Sequence, residues 1–359
     1  MEEEEKIGIL AHVFNKKLSG TYFFNNIDFI VQEMPSKDEI LSLSKIEEKQ
    51  PETKGDFLIF TMVKEGLSTA QALSAISTRT HTSIKRFGYL GNKDKHGMTA
   101  QRISVFKGDP EVFRQIDSPW LFLKDFHFSD KPCRIGDLYG NKFSVLIKDF
   151  SGTEEDVKEF VSVAEKGLPN FYGKQRFGVN AVNIELSKKI IARDFKGALE
   201  QFLQIMEPVD TDKLKEHLKI HKNDYIGAIR LIPKYLRLLI LQSFQYNIFN
   251  KILSEAIKRN VRVDEIPLIG YDLDVESIEP PEMRQIFRDI IRQEGIDLSS
   301  LMIKEMPEVS MKTFKRAAFF IPENFSYDLF ENVVILDFIL RKGIYASVLL
   351  SEFIQERKY

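Results

Sequence analysis

Strand-like alternation fills the first half of the chain, yields to helical spacing from Asn180 to about Leu301, and returns near the C-terminus. That order constrains the fold more than any other feature, because a sheet drawing on both ends must accommodate a helical block between them. Asp56–Lys64 (DFLIFTMVK), Phe87–Leu90, Thr99–Phe106 (TAQRISVF), Trp120–Phe128, Thr313–Ile321 and Asn332–Leu340 read as strands. Thr21–Phe24 and Ile27–Met34 read as a strand pair around Asn25-Asn26, with Phe29, Val31 and Glu33 on one face. Ser68 is the expected cap of a helix whose apolar side carries Ala70, Leu73, Ala75 and Ile76. Thr153–Lys166 opens with acids and closes with lysine, as a helix dipole favours. Within the later block, ELSKKIIARD, FKGALEQFLQIM, DKLKEHLKIH, DYIGAIRLI, Tyr235–Arg259 and PPEMRQIFRDIIRQEG are spaced as amphipathic helices. The fold class that follows is α+β. A mixed sheet with flanking helices is expected from residues 1–179 and 304–359, interrupted by a mostly helical domain at 180–303.

With 359 residues, 43% of them hydrophobic, the chain can bury substantial cores. A net charge of −2 gives no global basic signature, so a nucleic-acid partner would have to meet local positive patches. The single cysteine, Cys133, excludes a disulfide framework and a cysteine-based zinc site, and fits a reducing cytoplasm. The N-terminal MEEEEK lacks the cationic flank and apolar core of a signal peptide and reads as a frayed acidic end. Residues 36–55 read as a loop or linker. The longest apolar run, near Leu236–Leu241, falls far short of a membrane span, so a soluble cytoplasmic protein is expected. His217 and His221 have the spacing of two metal ligands on a helix, but no third ligand is nearby in sequence. A solvated helix face is expected there, and no metal or other cofactor. The sequence sets no oligomeric state.

Two stretches carry candidate chemistry. Between Arg79 and Lys107 seven basic residues accompany a single acid, Asp94, in the polar cluster of GYLGNKDKHGMTAQ. A lone carboxylate in a positive field suits a polyanionic substrate, with cations holding phosphates. The same stretch also reads as a solvated turn whose Asp caps the loop backbone. The second stretch, LPNFYGKQRFGVN at Leu168–Asn180, has the Pro, Gly and packed aromatics of a structured loop. Asn170 offers an amide that could read a base edge, Phe171, Tyr172 and Phe177 offer stacking faces, and Lys174 and Arg176 can hold phosphates.

Both stretches resemble signatures of the TruD family of pseudouridine synthases. Gly91, Lys93, Asp94, Thr99 and Gln101 match the first. Leu168–Asn180 matches Pro-Asn-Phe/Tyr-Phe-Gly-x-Gln-Arg-Phe-Gly, with Tyr172 standing where the family has Phe. Further similarity lies in the Asp-Phe-x-Val-x-Glu segment at Asp28–Glu33, and in Gly136, Leu138, Gly140, Asn141 and Phe143. It continues in Arg237, Gln245, Phe249 and Asn250, in IPLIGY at Ile266–Tyr271, and in the tail from Phe338 to Glu352. Departures are Phe23, where the family has Lys or Arg, Tyr246 for Ser, Arg341 for Pro and Ser351 for Arg.

The resemblance implies a pseudouridine-synthase-type catalytic domain with an inserted TRUD domain, RNA lying in the cleft between them, and a tRNA substrate modified at uridine 13 of the D arm. It makes Asp94 the catalytic residue. It places Phe29 and Tyr345 at the bound nucleotide, and Asn170, Tyr172, Lys93, Gln175 and Arg176 are the further candidate substrate-binding residues. Removing the inserted domain is expected to weaken RNA binding more than it unfolds the remainder. The reaction breaks the uridine N1–C1′ bond, turns the base and rejoins it through C5, with no redox step. An Asp with its ordinary pKa, about 3.9, is ionised at neutral pH and able to act as nucleophile or base. Two rivals stand beside this enzyme: a catalytically inactive RNA-binding protein on the same fold, and a hydrolytic nuclease. A nuclease would want clustered carboxylates for metal, and Asp94 has no acidic neighbour within a dozen residues.

Overall fold

The computed structural model describes residues 2–16, 18–22, 28–47, 54–93, 95, 97–205, 208–354 and 356–357. Its contacts divide the chain into two compact units. A sheet unit comprises Lys16–Lys166, Ile321–Ala346 and Phe353–Tyr359, and a helical unit comprises Met1–Asn15, Gly167–Phe320 and Ser347–Glu352.

Among the described residues nine strands build the main sheet: β1 (Phe29–Met34), β2 (Phe57–Glu65), β3 (Phe87–Tyr89), β4 (Met98–Phe106), β5 (Asp117–Ser118), β6 (Leu121–Ser129), β7 (Gly140–Ile147), β8 (Glu323–Phe330) and β9 (Val333–Arg341). Eight run in the order β8-β9-β7-β1-β4-β2-β6-β5, and β3 pairs with β4 off that path. Only β1 and β4 pair in parallel, so the sheet is mixed. One edge of β4 is shared: Met98–Ala100 pair with β1, and Ile103–Val105 pair with β3. The turn from β3 into β4 therefore starts and ends beside the centre of the sheet.

Period-two patterning explains the two cores. Leu58, Phe60 and Met62 of β2 join Ile103 and Val105 of β4 under Leu73 and Ile76 of the helix Thr69–Arg79. Val63 and Ala100, on the opposite face, pack with Leu41 and Phe122. Ser68 and Gln71 form a reciprocal cap at the start of that helix. Its buried side is Thr69, Ala72, Leu73 and Ile76, whereas Ala70 and Ala75, expected on the apolar side, are exposed. Alanine marks a face weakly, and the larger Leu73 and Ile76 set the rotation.

An aromatic ladder runs from Phe29 through Phe143, Phe338, Phe325 and Phe160 to Phe353, with successive centroids 4.6–6.0 Å apart. Strand β8 was not foreseen because it is an edge strand with alternate residues open to water, so its sequence reads as polar. The Asn25-Asn26 turn lies outside the described residues, and Thr21 bridges Lys148 rather than a neighbouring N-terminal strand.

In the helical unit, Val182–Ile191, Phe195–Ile205, Pro208–Ile220, Tyr225–Arg230, Lys234–Lys258 and Pro281–Gln293 form the expected helices. The long helix Lys234–Lys258 packs against Val182–Ile191 and Pro281–Gln293. It carries buried polar side chains whose hydrogen bonds are spent on neighbouring backbone. Gln245 Nε2 donates to Ile269 O at 2.6 Å and Lys312 O at 3.0 Å, and Asn250 Nδ2 to Ile7 O at 2.9 Å. His217 bonds Asp224 at 2.8 Å.

The acidic N-terminus is not frayed. Glu2–Lys6 is helical, Glu3 pairs with Lys174 at 2.6 Å, and Glu4 lies 3.6 Å from His12. His12 also meets the buried Glu352 at 3.1 Å. Burial pulls the His12 imidazole down, but hydrogen bonds to Glu352 and Glu4 and their charges outweigh it and raise the pKa to about 10. Among the described residues no helix is long and apolar enough to cross a membrane.

Candidate active site

The sheet unit holds Phe29, Lys93 and Tyr345, and the turn that carries Asp94. Asp94 and His96 lie outside the described residues. Their neighbours show how the turn is held. Lys93 is only 8% exposed, and each of its polar groups has a buried partner. Its N–H donates to Thr69 Oγ1 at 2.8 Å, and its carbonyl accepts from Thr69 N at 3.2 Å. Its Nζ lies 2.5 Å from Glu33 Oε1. Glu33, on β1, is fully buried and also accepts from the Arg102 N–H at 2.8 Å. Gln101 completes the frame: its Oε1 accepts from Thr69 Oγ1 at 2.9 Å, and its Nε2 donates to Gly91 O at 3.3 Å.

The turn closes at Gly97, where φ is +96° and a Cβ would stand 2.6 Å from Phe29 O. No other residue fits that approach. Phe29 itself is buried, its ring packed edge-on to Phe143. Tyr345 is half-buried, one residue before the helix Ala346–Phe353. The only cysteine is no rival nucleophile, because burial pushes the Cys133 thiol up to about 11.

Asn170, Tyr172, Gln175 and Arg176 belong to the helical unit. Asn170 follows the short strand Leu168–Pro169, which pairs with Phe319–Phe320. Its side-chain Nδ2 donates to Ala317 O at 3.0 Å, while its Oδ1 accepts from Arg316 Nη2 at 2.6 Å. One N–H and one lone pair of the amide remain beyond those two bonds. Arg316 also donates from Nε to Asn170 O at 3.0 Å and lays its guanidinium over the Tyr172 ring at 4.2 Å. Tyr246 stacks on the same ring with centroids 3.8 Å apart. At those distances the two cannot share a face, so both faces of Tyr172 are covered. Asn250 fixes the Tyr172 backbone, accepting from its N–H at 2.8 Å and donating to its carbonyl at 3.1 Å. Lys174, Gln175 and Arg176 form an exposed turn of 3-10 helix.

Arg316, Tyr246, Asn250, Glu33 and Thr69 are thus the supporting residues. Asn250 and Glu33 stand in stretches with a sequence signal. A lone Arg in the strand-like TFKRAAFFI and a Thr at a helix start give none.

The mixed sheet, the helical unit and a turn framed by buried polar groups make this an α+β protein. The family model for tRNA pseudouridine synthase D (TruD) matches residues 15–217 and 263–353, and the chain belongs to that family. A protein of Methanocaldococcus jannaschii named "Probable tRNA pseudouridine synthase D 1" is 28% identical, over 92% of this chain and 94% of its own. The "Probable tRNA pseudouridine synthase D" of Methanococcus vannielii is also 28% identical, over 91% and 93%. A crystal structure from Methanosarcina mazei assigned to TruD superposes with a TM-score of 0.78 over 99% of this chain and 98% of that one. At 23% identity, that likeness is one of fold.

Proposed function

We propose that this chain converts uridine 13 of the tRNA D arm to pseudouridine, with Asp94 as the catalytic carboxylate. Membership of the family makes it a tRNA pseudouridine synthase, an isomerase whose substrate is RNA. The observation that carries the finer reading is the family match across residues 15–217, which takes in both signature stretches. In the reaction the N1–C1′ bond breaks, the base turns, C1′ bonds to C5, and a proton leaves C5 while one is gained at N1. Atoms balance without an external group, and no metal or cofactor is invoked. The Asp94 carboxylate would serve as nucleophile at C1′ or as base.

Extruding the base costs a few kcal/mol. Phe29 and Tyr345 in the sheet unit, and the Asn170 amide in the helical unit, are the groups proposed to meet it. Tyr172 would act through its edge and through Arg316, because its faces are covered. Lys93 would act chiefly by fixing the turn, since its ammonium is tied to Glu33. Gln175 and Arg176 would contact the RNA backbone. The helical insertion at 180–303 would serve as the TRUD domain, and the protein would work in the cytoplasm.

The test is Asp94→Asn, assayed on tRNA in EDTA without cofactor. Pseudouridine should fall below detection while RNA binding persists or rises slightly, one repulsive charge having gone. Turnover above a few per cent of wild type in the folded variant would remove Asp94 from the chemistry. An inactive RNA-binding module would show binding with no product from either version.

A further inference from the structure

We infer that Thr69 is a positioning residue for the catalytic carboxylate, acting through the backbone of Lys93. The inference rests on the assignment of Asp94 above.

Lys93 is the residue that precedes Asp94, so whatever fixes its peptide groups fixes where the chain enters the catalytic residue. Thr69 holds both: its Oγ1 accepts from the Lys93 N–H at 2.8 Å, and its own N–H donates to the Lys93 carbonyl at 3.2 Å. It is able to do so because it is the first residue of the capped helix Thr69–Arg79, where backbone N–H groups have no partner within the helix. The hydroxyl is oriented in turn. It donates to Gln101 Oε1 at 2.9 Å, and Gln101 Nε2 reaches Gly91 O at 3.3 Å on the other arm of the turn. A hydroxyl that donates to Gln101 keeps its lone pairs for the Lys93 N–H.

The Thr69 hydroxyl and its bonds to Lys93 and Gln101 are sheltered. Thr69 is 2% exposed and Gln101 is 0% exposed, so water offers no substitute partner when the hydroxyl is removed. The Glu33 ion pair anchors the far end of the Lys93 side chain but leaves its peptide groups to Thr69. The geometry thus assigns the hold on the residue before Asp94 to a threonine 24 residues upstream of Lys93, outside the signature stretch.

The experiment compares Thr69→Val, which keeps the shape and loses the hydroxyl, with Thr69→Ser, which keeps the hydroxyl. Single-turnover rates at saturating tRNA transcript, transcript affinity and melting temperature are measured for each. Thr69→Val should lose on the order of 10- to 100-fold in rate, the effect of a small misplacement of a reacting group, with affinity unchanged within about twofold. Thr69→Ser should keep close to the wild-type rate. Gln101→Met, which breaks both bonds of the oriented amide, should show the same split, and it decides the matter if Thr69→Val does not fold.

A wild-type rate in Thr69→Val, equal losses in the Val and Ser variants, or a loss that follows affinity would overturn the inference. Asp94→Asn is run alongside. If it turns over, the Asp94 assignment fails and the positioning role with it. If it is dead while Thr69→Val runs at full rate, only the role of Thr69 fails.

Discussion

Replacing Arg316 by methionine should release Asn170 and Tyr172 together. Arg316 makes two charge-assisted hydrogen bonds to Asn170, at 3.0 and 2.6 Å, and covers the Tyr172 ring at 4.2 Å. Hydrogen bonds to a charged group contribute about 1.5–3 kcal/mol each when sheltered, and a cation over a ring about 0.5–2. Arg316 is half-buried, so the lower ends apply and the total loss of stability should be roughly 3–4 kcal/mol. Methionine keeps the apolar stem, which separates this loss from packing. Lysine keeps the charge but not the planar fork, and should recover only a minor part. Urea unfolding of wild type, Arg316→Met, Asn170→Ala and the double variant isolates the coupling, expected at about 1–2 kcal/mol. Arg316→Met should lower kcat/KM on tRNA because an unpinned Asn170 amide can turn over, and Asn170→Ala because the amide is gone. A coupling energy inside the additivity limit of about 0.3–0.5 kcal/mol would refute the reasoning.

Tyr172→Phe should be nearly neutral, since the stack on Tyr246 needs only the ring, whereas Tyr172→Leu should cost about 1–3 kcal/mol in folding stability. A severe loss of activity in a stable Phe variant would give the hydroxyl a role of its own. His12 sets a pH dependence: its pKa is raised in the fold to about 10 from an ordinary 6.5, so its contribution is complete below about pH 6.5 and is lost as pH climbs towards 10. Across that window wild type should lose about 1.4 kcal/mol per pH unit more than His12→Gln. Parallel urea midpoints for the two proteins between pH 7 and 9.5, roughly that window, would contradict it.

Most of the strand and helix pattern was legible because it is local. Period-two runs such as DFLIFTMVK and the capped helix after Ser68 carry their own signal, and the helical block announced itself by spacing. What was not legible depends on partners distant in sequence. Glu2–Glu5 read as a frayed end because nothing local shows that Lys174 and His12 lie opposite Glu3 and Glu4. The aromatic face of Tyr172 read as an open platform because Tyr246 and Arg316 approach from 74 and 144 residues away. Lys93 read as a phosphate or substrate cation because its partner, Glu33, sits 60 residues upstream on another strand. In each case the residue type was informative about chemistry, and the missing term was the neighbour that saturates it.

The same missing term changes the expected result of excising residues 180–303. Strand and helix patterning alone make that block look removable, with RNA binding the main casualty. The helical unit, however, also contains residues 167–179 and 304–320, and these are built onto the block. Tyr172 exchanges two backbone bonds with Asn250 and stacks on Tyr246, both on the long helix. Lys312 O accepts from Gln245, and Lys315–Ala317 pair with Glu265–Pro267. The N-terminal segment depends on the same helix through Asn250, Asn247 and Ser254. Apart from the backbone ladder, excision strips six side-chain hydrogen bonds at about 1 kcal/mol each and one aromatic burial at about 1.5–3 kcal/mol. The sum, roughly 7–9 kcal/mol, is comparable to the whole net stability of a domain. The shortened chain should therefore lose protease resistance at residues 2–15, 167–179 and 304–320, and not RNA affinity alone. Limited proteolysis followed by mass spectrometry reads this directly. If those three segments stay as protected as in the intact chain, the block is a removable appendage and the Tyr172 loop owes its order to something else.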